Sequence, residues 1–159
     1  MGDLAVPNPL AGDWFVHDRA RAVPQGSGSV IAIVGTDAPL LPQQCQALAR
    51  RVPLGLARTG TTGGHFSGDL FLAFSTGNQG ALNSGFPLDG EELRQMTFVP
   101  WNRMDRFFAA TVECVEEAVL NALINNNDMR GRSGHLSPAL PPNLVRERLE
   151  QGSRLTHGA

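Results

Sequence analysis

The sequence has little net charge and no long apolar run. Thirteen basic residues face fifteen acidic ones, for a net charge of -2, and no basic run could follow a phosphate backbone. No stretch approaches the roughly 18 apolar residues of a membrane span, and residues 1–10 lack the basic start and apolar core of a secretory signal. We therefore expect a cytoplasmic protein whose partners are neither nucleic acid nor a membrane.

Cysteines and the common catalytic motifs are also scarce. Cys45 and Cys114 fall within helical patterns without CxxC spacing, which predicts two small buried hydrophobes rather than a disulfide or a metal site. The chain has no GxSxG motif, so a hydrolase nucleophile elbow is unsupported. The glycine-rich segment 59–64 lacks the lysine of a phosphate-binding loop and is interpreted as a flexible rim.

The composition does support a folded domain. Apolar residues make up 42% of the 159, which is enough for one packed core. With 18 glycines and 11 prolines, the chain is richer in these residues than the usual total of roughly 12%, so turns and loops are expected to be frequent. Residues 1–28 contain three prolines without a sustained period and are interpreted as an extended arm.

One stretch, residues 26–37, stands out as a candidate nucleophile segment. Gly28 and Ser29 lead into five apolar residues rich in β-branched side chains, which predicts a buried strand with Ser29 at its start. A serine there lies where a core gives way to a cleft. The same residues also make ordinary loops, and from these residues alone that interpretation is the more frequent one.

Periodicity predicts the other elements. A stripe beginning at Met104 and including Phe108, Thr111, Val115, Ala118 and Ala122 indicates a long helix that residues 125–127 end. The apolar run Leu70–Phe74 is typical of a strand covered on both faces. The remaining predictions are a helix over 42–52 broken near Pro53, loops at 59–64 and 78–93, a short strand at 97–99, and a helical turn at 143–150 that frays after Gly152.

Three further segments extend the pattern that begins at Ser29: TDAPLLP at 36–42, RRVPLGLARTG at 50–60 and SGDLFLAFST at 67–76. In this order they resemble the catalytic C-terminal part of the L-aminopeptidase/D-esterase family, which includes the DmpA-type and β-peptidyl aminopeptidases. The resemblance runs from about Gly28 to near Leu144. It implies a self-processing amide hydrolase with an N-terminal serine nucleophile and without a metal or organic cofactor.

A serine hydroxyl needs a base to accept its proton. Of the four histidines, only His65 lies near another candidate, two residues before Ser67. The alternative base is the α-amine of Ser29 itself, freed by cleavage after Gly28, since such an amine has a pKa of about 7.7 to 8.0. The resemblance favours the amine, and Ser27 is the competing nucleophile.

The family's second serine and acidic residue correspond to Ser67 and Asp69, which lie 38 and 40 residues after Ser29 and match the family spacing. Asp69 can hold the ammonium form of the amine, and Ser67 can relay hydrogen bonds. Without the resemblance, both residues would more often be loop caps.

The sequence thus predicts an α/β layered sandwich of the αββα, N-terminal-nucleophile-hydrolase type. Residues 1–28 are expected to be the remnant of an upstream subunit and residues 29–159 the catalytic domain. Its substrates would be short peptides, amides or esters with a free amino end, and its partners a larger upstream subunit within an oligomer. The alternative is a noncatalytic fragment that folds or associates without hydrolysing anything.

Overall fold

A pair of parallel strands forms the centre of the computed structural model, which describes residues 28–85, 93–134 and 136–156. Strand β1 (Ile31–Thr36) pairs with β2 (Leu70–Ser75) in a register that places Ile31 beside Leu70 and Thr36 beside Ser75. The strands predicted at these two places are confirmed. The arm predicted for 1–28, and Ser27 within it, lie outside the described residues apart from Gly28.

Two helices make the crossover that a parallel pair requires. Helix α1 (Pro42–Ala49) ends where the single predicted helix was expected to continue, and α2 (Val52–Arg58) follows it after Arg50 and Arg51. The prediction of one helix over 42–52 is therefore wrong in its bounds. Proline lacks an N–H and fits the first turn of a helix, so Pro53 lies in the first turn of a new helix rather than ending an old one.

The two strands bury only one of their faces. Alternate residues, Ala32, Val34, Phe71 and Ala73, pack half-buried against two core clusters, one built on Leu40, Cys45, Leu48 and Met104 and the other on Val52, Leu56 and Val115. The opposite face is apolar but exposed, with Ile31 at 72% and Leu70 at 64%. The expectation that β2 is covered on both faces is thus wrong for the described residues.

Helix α3 (Asp105–Ile124) confirms the long helix and its end near Asn125. Thr111 and Val115 are buried, and Met104 is fully buried immediately before the helix. Ala118 and Ala122 are exposed, so the packed stripe is shorter than the sequence pattern. The Thr111 hydroxyl is satisfied within the helix, because it donates to the Phe107 carbonyl oxygen at 2.7 Å.

Helices α2 and α3 approach each other most closely at Gly55. A Cβ atom added there would lie 2.7 Å from the Val112 carbonyl oxygen and 2.7 Å from the Val115 Cβ. Beside this contact, the Arg58 Nε lies 3.0 Å from a Glu116 carboxylate oxygen and joins the same two helices. Gly55 therefore sets the distance between the helices that cover the buried face of the strands.

Replacing Gly55 with alanine is expected to destabilise the fold, although alanine favours a helix by about 1 kcal/mol. The added methyl meets main-chain and Cβ atoms, which cannot rotate away, so overpacking of roughly 1–3 kcal/mol should dominate. Thermal unfolding would show a lower Tm. The matched control is Gly85→Ala, where an added Cβ meets no atom within 4 Å. A Tm equal to or above that of the control would contradict this packing argument.

The two cysteines have different environments. Cys45 is buried as predicted, and this burial raises the pKa of its thiol. Cys114 is exposed, so the prediction that it is a buried hydrophobe is wrong. On a helix, Cys114 is turned about 100° from the buried Val115 and so leaves the packed stripe.

The segment 93–100 contains no strand, and the prediction of one at 97–99 is wrong. Val99 donates one backbone hydrogen bond to the Pro39 carbonyl oxygen, at 3.1 Å. The Val99 carbonyl oxygen instead accepts from Nε2 of the fully buried Gln44, at 2.6 Å, while the Gln44 Oε1 accepts from the Leu41 amide. Gln44 thus fastens this segment to the start of α1.

The C-terminal part holds two short strands and a helix. Strand β3 (Met129–Arg130) pairs antiparallel with β4 (Leu136–Ser137). The sequence does not predict this pair, because two-residue strands are too short to show a periodic pattern. Helix α4 (Pro142–Thr156) is longer than the predicted turn at 143–150, and it continues past Gly152. Among the described residues, no helix combines the length and apolar character needed to cross a membrane.

Candidate active site

The parallel pairing of β1 and β2 brings the starts of both strands to one edge. Gly28 and Ser29 precede β1 at that edge, and Ser67, Gly68 and Asp69 precede β2. The pairing extends beyond the strands, since the Leu70 amide donates to the Val30 carbonyl oxygen at 3.0 Å. The three sequence-predicted residues Ser29, Ser67 and Asp69 are therefore neighbours in space.

Ser29 contacts the residues that immediately precede β2. The Gly68 backbone N–H donates a hydrogen bond of 3.0 Å to the Ser29 Oγ. Ser29 and Gly28 are exposed, and a Cβ placed on Gly28 would meet no atom within 4 Å. The hydroxyl is thus held in a fixed position while the peptide bond before it stays accessible.

Asp69 contacts the residue that follows Ser29. Its Oδ1 accepts a hydrogen bond from the Val30 backbone N–H at 3.1 Å, and its side chain is half-buried. Because the Ser29 and Val30 nitrogens are separated by only three bonds, the carboxylate oxygen lies at most about 7 Å from the Ser29 nitrogen. Asp69 therefore makes the backbone contact of a loop cap and also stands beside the predicted nucleophile.

Ser67 ends a turn that borders the edge. Its backbone N–H donates to the Gly64 carbonyl oxygen at 2.9 Å, and the turn between them exposes His65 and Phe66. These two rings meet edge to face, with centroids 5.0 Å apart. His65 thus lies on the rim, as its sequence position suggested, and the peptide that joins Ser67 to Gly68 supplies the N–H that holds Ser29.

Gly68 is the residue that the sequence reasoning missed. It lies between the two predicted partners, and the sequence assigns it no role in the site. The signal lies in the strand register, because the pairs of β1 and β2 differ by 39 positions, and the same offset places residue 68 opposite residue 29. That offset could be recognised only after the strands were known to pair in parallel.

The edge combines a hydroxyl, a carboxylate and an N–H donor, which is a set suited to acyl transfer through a serine nucleophile. Among the residues that the structure describes, no group of three or more His, Cys, Asp or Glu side chains could hold a metal ion.

A parallel strand pair under helices, with a serine before its first strand, is an α/β arrangement. Solved structures of the N-terminal-nucleophile-hydrolase type resemble it. One is the L-aminopeptidase D-Ala-esterase/amidase of Ochrobactrum anthropi, described as a variant of the Ntn hydrolase fold. The match covers 84% of this chain and 36% of that one, with 38% identity and a TM-score of 0.69. A Burkholderia sp. β-aminopeptidase matches at 37% identity and a TM-score of 0.71, over 82% of this chain and 36% of that one. The predicted fold class is confirmed.

The chain belongs to peptidase family S58, whose model matches residues 3–137. The β-peptidyl aminopeptidase BapA of Sphingosinicella microcystinivorans is 35% identical over 158 residues, which are 94% of this chain and 39% of that protein. The chain thus spans well under half the length of the curated relatives it matches. The family resemblance inferred from the sequence is confirmed.

Proposed function

We propose that this chain is the nucleophile-bearing part of a self-processing aminopeptidase that cleaves itself between Gly28 and Ser29. The observation that carries the proposal is the contact between the Ser29 Oγ and the Gly68 N–H at the strand edge, beside Asp69. Family membership supports the same reaction class. The substrates are short peptides, amides or esters with a free amino end.

Self-cleavage begins as an acyl shift within the Gly28–Ser29 unit. The Ser29 Oγ attacks the carbonyl carbon of Gly28, the C–N bond breaks, and the hydroxyl proton is transferred to the Ser29 nitrogen. The Gly28 carbonyl is then held as an ester on Oγ, and water hydrolyses this ester to a carboxylate. The accessible Gly28 and the fixed Oγ support this step, because proximity replaces a bimolecular encounter.

After cleavage, the α-amine of Ser29 takes the role of the base. It accepts the hydroxyl proton as Oγ attacks the substrate carbonyl, and returns that proton to the departing amine. Water then hydrolyses the ester left on Oγ, with the amine again accepting a proton, and the hydroxyl is regenerated. Asp69 keeps the resulting ammonium in place, and Ser67 relays hydrogen bonds between them. The position of both residues at the Ser29 edge supports these roles.

The exposed apolar face of the strand pair is the surface that an upstream subunit covers. Five large side chains lie on it: Ile31, Ile33, Leu70, Leu72 and Phe74. A contiguous apolar surface of this kind marks an interaction site, and the relatives are far longer than this chain. Residues 1–28 are then the end of that subunit, residues 29–159 are the catalytic domain, and paired subunits assemble into an oligomer.

The position of the cut tests the proposal. The chain is produced together with its upstream subunit, incubated under folded conditions, and analysed by intact mass and N-terminal sequencing. We expect a fragment whose first residue is Ser29 and, with it, hydrolysis of an aminoacyl anilide. Recovery of only uncut chain after prolonged incubation would refute self-cleavage and favour a noncatalytic module.

A further inference from the structure

We infer that Gly68 is a positioning residue for the nucleophile, which requires both its backbone N–H and its lack of a side chain. The inference rests on the proposed function, since it assigns Gly68 a role in the reaction of Ser29. Two distances carry it. The Gly68 nitrogen lies 3.0 Å from the Ser29 Oγ, and a Cβ added to Gly68 would lie 3.1 Å from the same atom.

The hydrogen bond determines where the hydroxyl proton can go. Because the Ser29 Oγ accepts from Gly68, its own proton must point elsewhere, which leaves it free to move to the Ser29 nitrogen. The same donor stabilises the negative charge that Oγ acquires as it loses that proton. The hydrogen bond from Gly68 therefore directs the Ser29 hydroxyl proton away from Gly68 and makes the hydroxyl more acidic, and both effects favour nucleophilic attack by Oγ.

The missing side chain keeps this arrangement possible. A contact of 3.1 Å between carbon and oxygen is tight, and the Ser29 Cβ is already at 3.9 Å, so the hydroxyl is the atom that must yield. Rotating Oγ away would break its hydrogen bond and move it from the carbonyl carbon of Gly28. A glycine between Ser67 and Asp69 therefore leaves room for the Ser29 side chain, which precedes β1.

The experiment compares Gly68→Ala with Gly85→Ala, whose added methyl meets no atom within 4 Å. Both variants are produced with the upstream subunit, and the rates of self-cleavage and of anilide hydrolysis are measured. For Gly68→Ala we expect self-cleavage and kcat to fall about 10-fold or more, with KM within about twofold, because a small displacement of a reacting atom is costly. Gly85→Ala should match the unsubstituted protein. A folded Gly68→Ala with normal rates would overturn the inference.

A double-mutant cycle of Tm values separates a positioning role of Gly68 from general damage to the fold. Any drop in Tm caused by Gly68→Ala should vanish in a Ser29→Ala background, because the atom that the methyl crowds is then gone. An equal drop in both backgrounds would show that Gly68 acts on something other than Ser29 and would overturn the inference. If the unsubstituted protein does not cut before Ser29, the proposed function fails and the reaction role of Gly68 fails with it. The Tm comparison would still show whether a methyl on residue 68 meets the Ser29 Oγ, because it does not depend on activity.

Discussion

Ser29→Ala is expected to abolish both self-cleavage and hydrolysis, whereas Ser27→Ala should retain substantial activity. Removing Oγ leaves no atom to form the ester with Gly28, and the Gly68 N–H loses its acceptor. Since Ser29 is exposed and, among the described residues, its Oγ accepts a hydrogen bond from the Gly68 N–H alone, the fold should tolerate the loss. Intact mass reports the cut, and an aminoacyl anilide assay reports turnover.

Ser27→Ala is the matched control for this experiment, because it removes the same group two residues upstream. If Ser27→Ala were the inactive variant and Ser29→Ala remained active, the nucleophile would be misassigned. If both variants kept the activity of the unsubstituted protein, neither Ser27 nor Ser29 would be the nucleophile. A normal Tm for each variant is required before either comparison is interpreted.

Asp69→Asn is expected to reduce kcat/KM by roughly 10² or more while leaving the fold intact. The asparagine Oδ1 can still accept the Val30 N–H, so the backbone contact at the start of β1 is kept and only the charge is lost. The ammonium of a processed Ser29 would then lack its counter-charge. The measurement is steady-state hydrolysis by processed protein, with the degree of processing checked by mass.

Asp69→Ala completes this comparison, since it removes the acceptor together with the charge. We expect a lower Tm for Asp69→Ala than for Asp69→Asn, with activity lost in both. If Asp69→Asn kept nearly normal kcat/KM while Asp69→Ala lost it, Asp69 would be a loop cap and its charge would have no part in the reaction.

The pH dependence of Asp69→Asn offers a second view of the same charge. A carboxylate beside an amine stabilises the ammonium form and so raises the amine's pKa. Removing the charge should therefore lower the pH at which the acidic limb of the kcat/KM profile rises. Because the free amine is the active form, the variant should recover part of its activity toward lower pH relative to the unsubstituted enzyme.

The strands could be predicted from sequence, but their environment could not. Residues 70–74 are apolar at every position, so the alternation that distinguishes a half-exposed strand is missing. The structure shows that Leu70, Leu72 and Phe74 are exposed nonetheless. A run that is apolar on both faces is typical of a strand covered on both faces, and the described residues cover only one of them.

The false strand at 97–99 has a local cause. Thr97, Phe98 and Val99 are residue types that favour strands, but a ladder needs alternating donors and acceptors on the partner. The partner here is Pro39, which offers a carbonyl oxygen and no N–H. After a single bond the pairing stops, and Gln44 takes the Val99 carbonyl oxygen.

The sequence predicted which side chains make up the candidate site, but it did not predict the backbone contacts. Ser29, Ser67 and Asp69 could be found because a family likeness fixed their order and spacing. The contact between Gly68 and Ser29 could not be found in this way, since a glycine beside a serine in sequence does not show which distant residue its N–H meets. The contact of Asp69 with Val30 likewise depends on strand register, which is a property of the folded chain.

The sequence distance between the serine and its partners is a consequence of crossover length. Helices α1 and α2 make the crossover that the parallel strands require, whereas the exposed loop at 60–66 is not part of the contact between Ser29 and Gly68. A residue inserted into that loop should leave the contact between Ser29 and Gly68 in place, whereas a shift of one residue between Ser67 and Leu70 would replace the glycine opposite the serine. The number of residues in the loop and the register at the strand starts are therefore separate properties of this chain, and only the register decides which residue faces Ser29.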